Sequence, residues 1–175
     1  MSSKSIQPCA STTDSPIIYY TYIITQIGKL LLIASNGKLI GLYIEGQKHF
    51  PVIQRYWQYN EHIAVFTNTK IQLDGYFTLE RISFHIDYKL YGSDFQINVW
   101  KRLAAIPYGK TLTYKTFSSL AAYPNAIRAV ASAIGKNPLS IILPCHRVIR
   151  SDGSLGGYAA GLDVKKRLLT LEHMQ

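Results

Sequence analysis

Hydrophobic positions follow two different rules along this chain. From residue 17 to 46 they form short runs, IIYYTYIITQ, GKLLLIAS and KLIGLYIEG, rich in Ile, Tyr and Leu. The turn-type pairs Ile27-Gly28 and Asn36-Gly37 separate these runs, which predicts three strands. A mixed segment follows, with a helix predicted around Ile71 to Leu79 and a further strand in ISFHIDY. The stretch YKLYGS, residues 88 to 93, reads as a joint.

Beyond the joint the spacing becomes helical. Ser93 with Gln96 forms a capping-box pattern, and Phe95, Val99 and Leu103 then recur every four residues. Pro107 and Gly109 end that helix. Thr113 can cap a second, with Phe117, Leu120 and Ala121 facing inward. After the turn AAYPN, a third helix is predicted from Ala126 to Ile134, closed by Gly135. Two short helices joined by a tight turn make a candidate helix-turn-helix. The third helix would bury Ile127, Val130, Ala131 and Ile134, leaving Arg128, Ala129, Ser132 and Ala133 outward. Small side chains around one long cation suit close approach to a phosphate backbone, although alanines also favour helix by themselves. In the last helix, LDVKKRLLTLEHM, a stripe of Val164, Leu168 and Leu171 is predicted, with Glu172 on its border.

These patterns predict an α+β protein of two parts. Residues 1 to 16 form a flexible tail, 17 to 88 a small N-terminal α/β domain, and 92 to 175 a helical C-terminal domain. A hydrophobic content of 47% with 17% charged residues excludes wholesale disorder. The apolar runs are too short and broken for a membrane span, and the first sixteen residues lack the apolar core of a signal peptide. Charge changes the picture more. Residues 1 to 91 hold eight Lys or Arg against six Asp or Glu, whereas residues 92 to 175 hold eleven against four. The formal net charge of +9 is therefore concentrated in the C-terminal half, which points to a polyanion docking there.

Only two cysteines occur, Cys9 in the tail and Cys145. They make no disulfide framework, and a reducing compartment fits a persistent free thiol. The histidines, at 49, 62, 85, 146 and 173, form no metal-ligand pattern with them, so no metal is expected. Cys145 lies in ILPCHRVIR. The preceding apolar run allows an inert, buried thiol. The following His146, Arg147 and Arg150 instead predict a pKa lowered from about 8.5 toward thiolate. Glu172 could orient His146, which could in turn draw the proton from Cys145. Arg147 and Arg150 receive no chemical role, since ion pairing explains them equally well. The small-residue segment SDGSLGGYAAG suits a loop closing over a flat substrate beside Tyr158.

The segment NPLSIILPCHRVIRSDGSLGGYAAGLDVKKRLLTLE closely resembles the signature region of O6-alkylguanine-DNA alkyltransferases. The resemblance continues upstream through FQINVWKRLAAIPYGKTLTY and IRAVASAIGKNP, and so covers residues 92 to 172. YFTLERISFHIDYKL also resembles the end of that family's N-terminal domain. The resemblance implies a ribonuclease H-like N-terminal domain and a winged helix-turn-helix-like C-terminal one. It implies that Cys145 accepts, once and irreversibly, the alkyl group of O6-alkylguanine or O4-alkylthymine in duplex DNA. His146 would act as base through a water, oriented by Glu172, while Asn137 holds the active-site turn. Tyr114 would donate toward guanine N3, and Tyr158 with the main chain at Cys145, Val148 and Ala159 would line the guanine pocket. Because stacked bases leave no room for in-line attack on the major-groove alkyl group, the nucleotide must rotate out. Arg128 would fill the gap it leaves, with Ala129 and Ser132 beside it against the DNA. A cytoplasmic monomer, nuclear in a eukaryote, needing no cofactor and no membrane, is the expected state.

One departure concerns Tyr158-Ala159-Ala160-Gly161, where the family usually carries a glycine pair after the tyrosine. The Ala160 methyl is expected to narrow the pocket mouth against bulky substituents. His85 matches one ligand of a zinc site that some relatives carry, but the cysteines are too few to complete it. A lesion sensor that only recruits other factors is the main competing function, and such relatives usually replace the acceptor cysteine. A transcriptional regulator would need a second domain. A cysteine hydrolase would leave Arg128 and the basic half without a purpose.

Overall fold

The computed structural model of the chain describes residues 16–173. The predicted tail, Cys9 included, lies outside the described residues but for Pro16. The three predicted strands form as β1 (Ile18–Thr25), β2 (Gly28–Ser35) and β3 (Lys38–Ile44). They make an antiparallel meander, and a short β4 (Gln58–Tyr59) adds parallel to β1, giving the order β3-β2-β1-β4. The run LLLIA in β2 is apolar throughout because both sheet faces are covered. Leu30, Leu32 and Ala34 join the main core, whereas Leu31 and Ile33 pack with Ile18, Ile40, Tyr43 and Trp57 on the other side.

Helix α1 spans Ala64–Phe77, starting seven residues before the predicted helix. Its first turn has no side-chain cap, and two of its buried positions, Thr69 and Gln72, are polar, which hid its inward face. Gln72 also explains a second difference. Its side-chain amide donates to His85 O (2.7 Å) and accepts from His85 N (2.7 Å), so the main chain of His85, in the middle of ISFHIDY, is satisfied without a ladder. The predicted strand there reduces to one bridge between Leu39 and Tyr88 at the edge of β3.

The C-terminal half forms the predicted helices, although Leu120, predicted to face inward, is 59% exposed. Helix α2 (Asp94–Leu103) starts with the Ser93–Gln96 capping box, and α3 (Tyr114–Leu120) is capped by Thr113. Helix α4 (Ile127–Gly135) packs on α2, where the Trp100 indole N–H donates to Ala133 O at 2.8 Å. This contact turns α4 from its predicted phase. Ala133 is buried with Val130 and Ile134, while Ile127 is exposed and Ala131 half-buried. A short parallel pair, β5 (Leu112–Thr113) with β6 (Val148–Ile149), precedes the last helix, α5 (Leu162–His173).

The two halves share a single core. Leu39, Leu42 and Tyr76 belong to the same apolar cluster as Trp100, Phe117, Val130 and Leu168. The edge of β3 also reaches across the boundary, with Leu42 N donating to Pro138 O (2.8 Å) and Ser140 N to Leu42 O (3.0 Å). The N-terminal sheet thereby props the turn that leads to Cys145. No helix among the described residues is long and apolar enough to cross a membrane.

Candidate active site

Cys145 opens a single 3-10 turn, Cys145–Arg147, at the end of a buried loop. That loop is tightly specified. Ile141, a β-branched residue, sits at φ +73°, a conformation costing about 1–2 kcal/mol that persists only where the surroundings enforce it. Asn137 does much of the enforcing. Its side-chain amide donates to Leu143 O (2.7 Å) and Leu139 O (3.4 Å), and its carbonyl accepts from Leu139 N (3.0 Å). The same amide reaches the sulfur, with Nδ2 to Sγ at 3.1 Å.

The thiol is not primed in the way the basic neighbours predict. Burial pushes its pKa up, only partly offset by the Asn137 amide, Lys165 and the main-chain N–H groups of Cys145 and His146. The reason is that His146 and Arg147 turn away from the sulfur toward Glu172, and Arg150 is exposed. A buried neutral thiol needs a proton acceptor when it reacts.

Glu172 gathers donors from three segments. His146 Nε2 lies 2.7 Å from Oε1, Arg147 Nε 2.9 Å from Oε2 and Arg147 Nη2 2.9 Å from Oε1. The Tyr76 hydroxyl donates to Oε1 at 2.7 Å, and Gly109 N to Oε2 at 3.3 Å. Burial alone would raise this carboxyl, but the hydrogen bonds from His146 and Arg147 outweigh it and bring the pKa down to about 2. His146 moves below its usual value, because burial disfavours the imidazolium more than Glu172 favours it. The imidazole is therefore neutral near pH 7. With Nε2–H directed at the carboxylate, Nδ1 is the basic nitrogen, and it has no hydrogen-bond partner among the described residues.

Cys145 lines a cavity of about 510 Å³, within the range of small-ligand sites. Tyr114, Arg128, Ser132, Asn137, Tyr158 and Ala159 line it as well. Tyr114 and Tyr158 keep their phenolic protons, since burial and the nearby Cys145 both raise them. His146 and Glu172 stand outside this lining, fully buried. Two of the other candidate residues also stand outside it. Ala129 is exposed elsewhere on α4, and Val148 is buried with its carbonyl accepting from Lys165 Nζ at 2.6 Å. Ala160 packs against the main core instead of narrowing the mouth. Among the described residues no three His, Cys, Asp or Glu side chains are placed to hold a metal ion.

Two sequence profiles match the chain. Residues 94–174 match the one described as 6-O-methylguanine DNA methyltransferase, DNA binding domain, and residues 18–90 the one described as 6-O-methylguanine DNA methyltransferase, ribonuclease-like domain. The chain is 44% identical over 156 residues to the methylated-DNA–protein-cysteine methyltransferase of Methanosarcina barkeri, covering 89% of this chain and 97% of that protein. The chain belongs to the 6-O-methylguanine DNA methyltransferase family. The Mycobacterium tuberculosis methylated-DNA–protein-cysteine methyltransferase is 39% identical, over 89% of this chain and 93% of that protein. Among solved structures, M. tuberculosis OGT in complex with DNA superposes with a TM-score of 0.83 at 38% identity, covering 89% and 93% of the two chains.

In this methyltransferase family member, three side chains complete the site without standing out in the sequence. Tyr76 comes from α1 and reaches Glu172 across the domain boundary. Arg147, one of two arginines assigned no role, is the buried partner of Glu172. Lys165 is fully buried, and its ammonium donates to the carbonyls of Val148, Leu155 and Gly157. Burial lowers it to about 8, yet donation to three carbonyls requires the charged form. It ties the loop at 151–161 to β6. Gly156 lets that loop pass Tyr114, since at φ +68° a side chain would be strained and its Cβ would lie 3.1 Å from the ring.

The expected effect of Asn137→Ala follows directly. It unpairs the buried Leu139 N and leaves Leu143 O with the Cys145 N–H alone, which costs about 1–3 kcal/mol. It also removes a donor to the sulfur. Thermal unfolding and the rate of thiol alkylation should both report the loss, and a wild-type value for both would show that the turn holds itself.

Proposed function

We propose that this protein repairs O6-alkylguanine in duplex DNA by moving the alkyl group to Cys145. The observation that carries this reading is a buried thiol at a cavity wall, with His146 held by the Glu172 carboxylate nearby and Arg128 among the lining residues. The base enters the cavity after rotating out of the duplex, at a cost of roughly a few kcal/mol. His146 Nδ1 takes the thiol proton through a water, and the sulfur attacks the alkyl carbon in line. The S–C bond forms as the C–O6 bond breaks, and its electron pair stays on guanine. The Tyr114 hydroxyl donates toward guanine N3 as that charge develops. The proton lost by the thiol is returned to the base, leaving guanine and a thioether. No group in the site can reverse that bond, so each molecule acts once. O4-alkylthymine presents the same alkyl–oxygen bond and is the expected second substrate.

The sheet order β3-β2-β1-β4, with β4 parallel, supports reading the N-terminal half as ribonuclease H-like. Helices α3 and α4, joined at 121–126, support a winged helix-turn-helix whose second helix carries Arg128 to the DNA. The test mixes the protein with excess duplex bearing one O6-methylguanine and follows both by mass spectrometry. One methyl per chain, on the peptide containing Cys145, with an equal amount of guanine restored, is the expected result. Continued turnover, or binding with no transfer, would sink the reading. Arg128→Ala should slow repair of duplex by at least about tenfold while leaving attack on free O6-benzylguanine near wild type. Equal losses on both would rule out a role for Arg128 in extruding the base.

A further inference from the structure

We infer that the N-terminal half takes part in DNA binding, with Lys48 contacting a phosphate next to the extruded nucleotide. This rests on the alkyl-transfer reading above. The segment after β3 forms part of the lesion cavity. Lys48 and His49 line it together with Arg128 and Arg150, and no carboxylate lines it with them. Three exposed cations around one opening, with no carboxylate among them, set up a positive potential there that attracts an anion. Lys48 has no acidic partner among the described residues, and Glu45, three positions before it, is paired with Lys29 at 3.4 Å.

The segment is mounted rather than loose. Gln47 is buried, and its side-chain carbonyl accepts from Ile44 N (2.8 Å) and from the Ser140 hydroxyl (3.2 Å). Lys48 N donates to Ala159 O at 2.9 Å, fixing the segment to the pocket residue of the loop at 151–161. His49 adopts φ +61°, a left-handed conformation that a non-glycine residue holds at a cost of about 1 kcal/mol. That cost is stored where Lys48 and His49 are brought to the cavity, which is where strain accompanies function. When a base occupies the cavity, its sugar and phosphates remain at the mouth. A phosphodiester is therefore the anion this opening is built to meet, and Lys48 supplies its cation from the N-terminal side.

The experiment uses the full chain and two substrates, duplex bearing one O6-methylguanine and free O6-benzylguanine, which has no phosphate. Lys48→Gln is expected to slow transfer from duplex about fivefold near 0.1 M salt and to flatten the log–log salt dependence by about 0.9. Lys48→Glu should slow it further, and both variants should react with the free base at the wild-type rate. Lys70→Gln, which removes an exposed charge far from the cavity in sequence, controls for net charge and should leave the duplex rate unchanged. An unchanged salt dependence in Lys48→Gln would overturn the proposal, as would an equal loss on the free base, which would make Lys48 a pocket wall. Failure of the wild-type protein to react with either substrate would instead overturn the alkyl-transfer reading, before any variant is compared.

Discussion

Cys145→Ser is expected to bind O6-methylguanine duplex as tightly as the wild type and to transfer no methyl group. The substitution is nearly isosteric, at a side chain 6% exposed whose sulfur already accepts the Asn137 amide. A serine oxygen accepts the same hydrogen bond, so the loop should hold and the cavity keep its shape. The chemistry does not survive. A hydroxyl is far less acidic and less polarisable than a thiol, and the single imidazole behind it has no strong contact to the reacting atom. A fall of at least about 10⁴-fold, on the order of 5 kcal/mol in barrier, is expected. Electrophoretic mobility shift measures the binding and peptide mass spectrometry the transfer. Methyl appearing elsewhere on this variant would mean that a second acceptor exists, and loss of binding would mean that the thiol holds the fold.

How much of this site could be read beforehand depended on whether each residue announced itself locally. The Ser93–Gln96 capping box, the Thr113 cap, the three strands and the Cys145–His146 pair are short-range patterns, and they were legible. The phases of α4 and α5 were not. A stripe of Val164, Leu168 and Leu171 was the natural apolar reading of α5, but the buried face is Lys165, Leu168, Leu169 and Glu172. A lysine at a core position is invisible to a hydrophobicity argument, because only the carbonyls folding around it make its burial tolerable. Tyr76 and Gln72 escaped for the same reason, since their partners lie 96 and 13 residues away in sequence. Charge adjacent to Cys145 in sequence predicts an acidified thiol, but that charge is not adjacent to it in space. His146 and Arg147 serve Glu172, and at Cys145 burial is only partly offset by the Asn137 amide, Lys165 and two main-chain N–H groups. The catalytic pieces were thus identifiable one by one, while the connections between the two halves were not.

Those connections carry the second large effect. Glu172→Gln should destabilise the protein by about 3–5 kcal/mol, because it leaves the Arg147 guanidinium buried without its counter-charge. For a chain of this size that lowers Tm by roughly 10 °C. The pH dependence should change with it. Glu172 titrates at about 2 in the folded protein against the ordinary 4.5, so its contribution is complete above pH 4.5 and is lost as pH falls toward 2. His146, held neutral by burial, adds to acid sensitivity beginning below its ordinary 6.5. Wild-type stability should therefore decline on acidification, first through His146 and then more steeply through Glu172. In Glu172→Gln the steep lower limb should vanish, since no carboxylate remains to be protonated there. Urea unfolding from pH 7 to pH 3 reads both limbs, and an unaltered lower limb in the variant would place the titrating group elsewhere. Stability alone does not separate structure from chemistry, because a loosened loop also slows transfer. Adding Arg147→Met to Glu172→Gln removes the stranded cation and should recover much of the stability. It cannot restore a carboxylate behind His146. If the double variant regains Tm but not the transfer rate, Glu172 acts on the reaction through the imidazole. If both return, its work is confined to holding the two halves together.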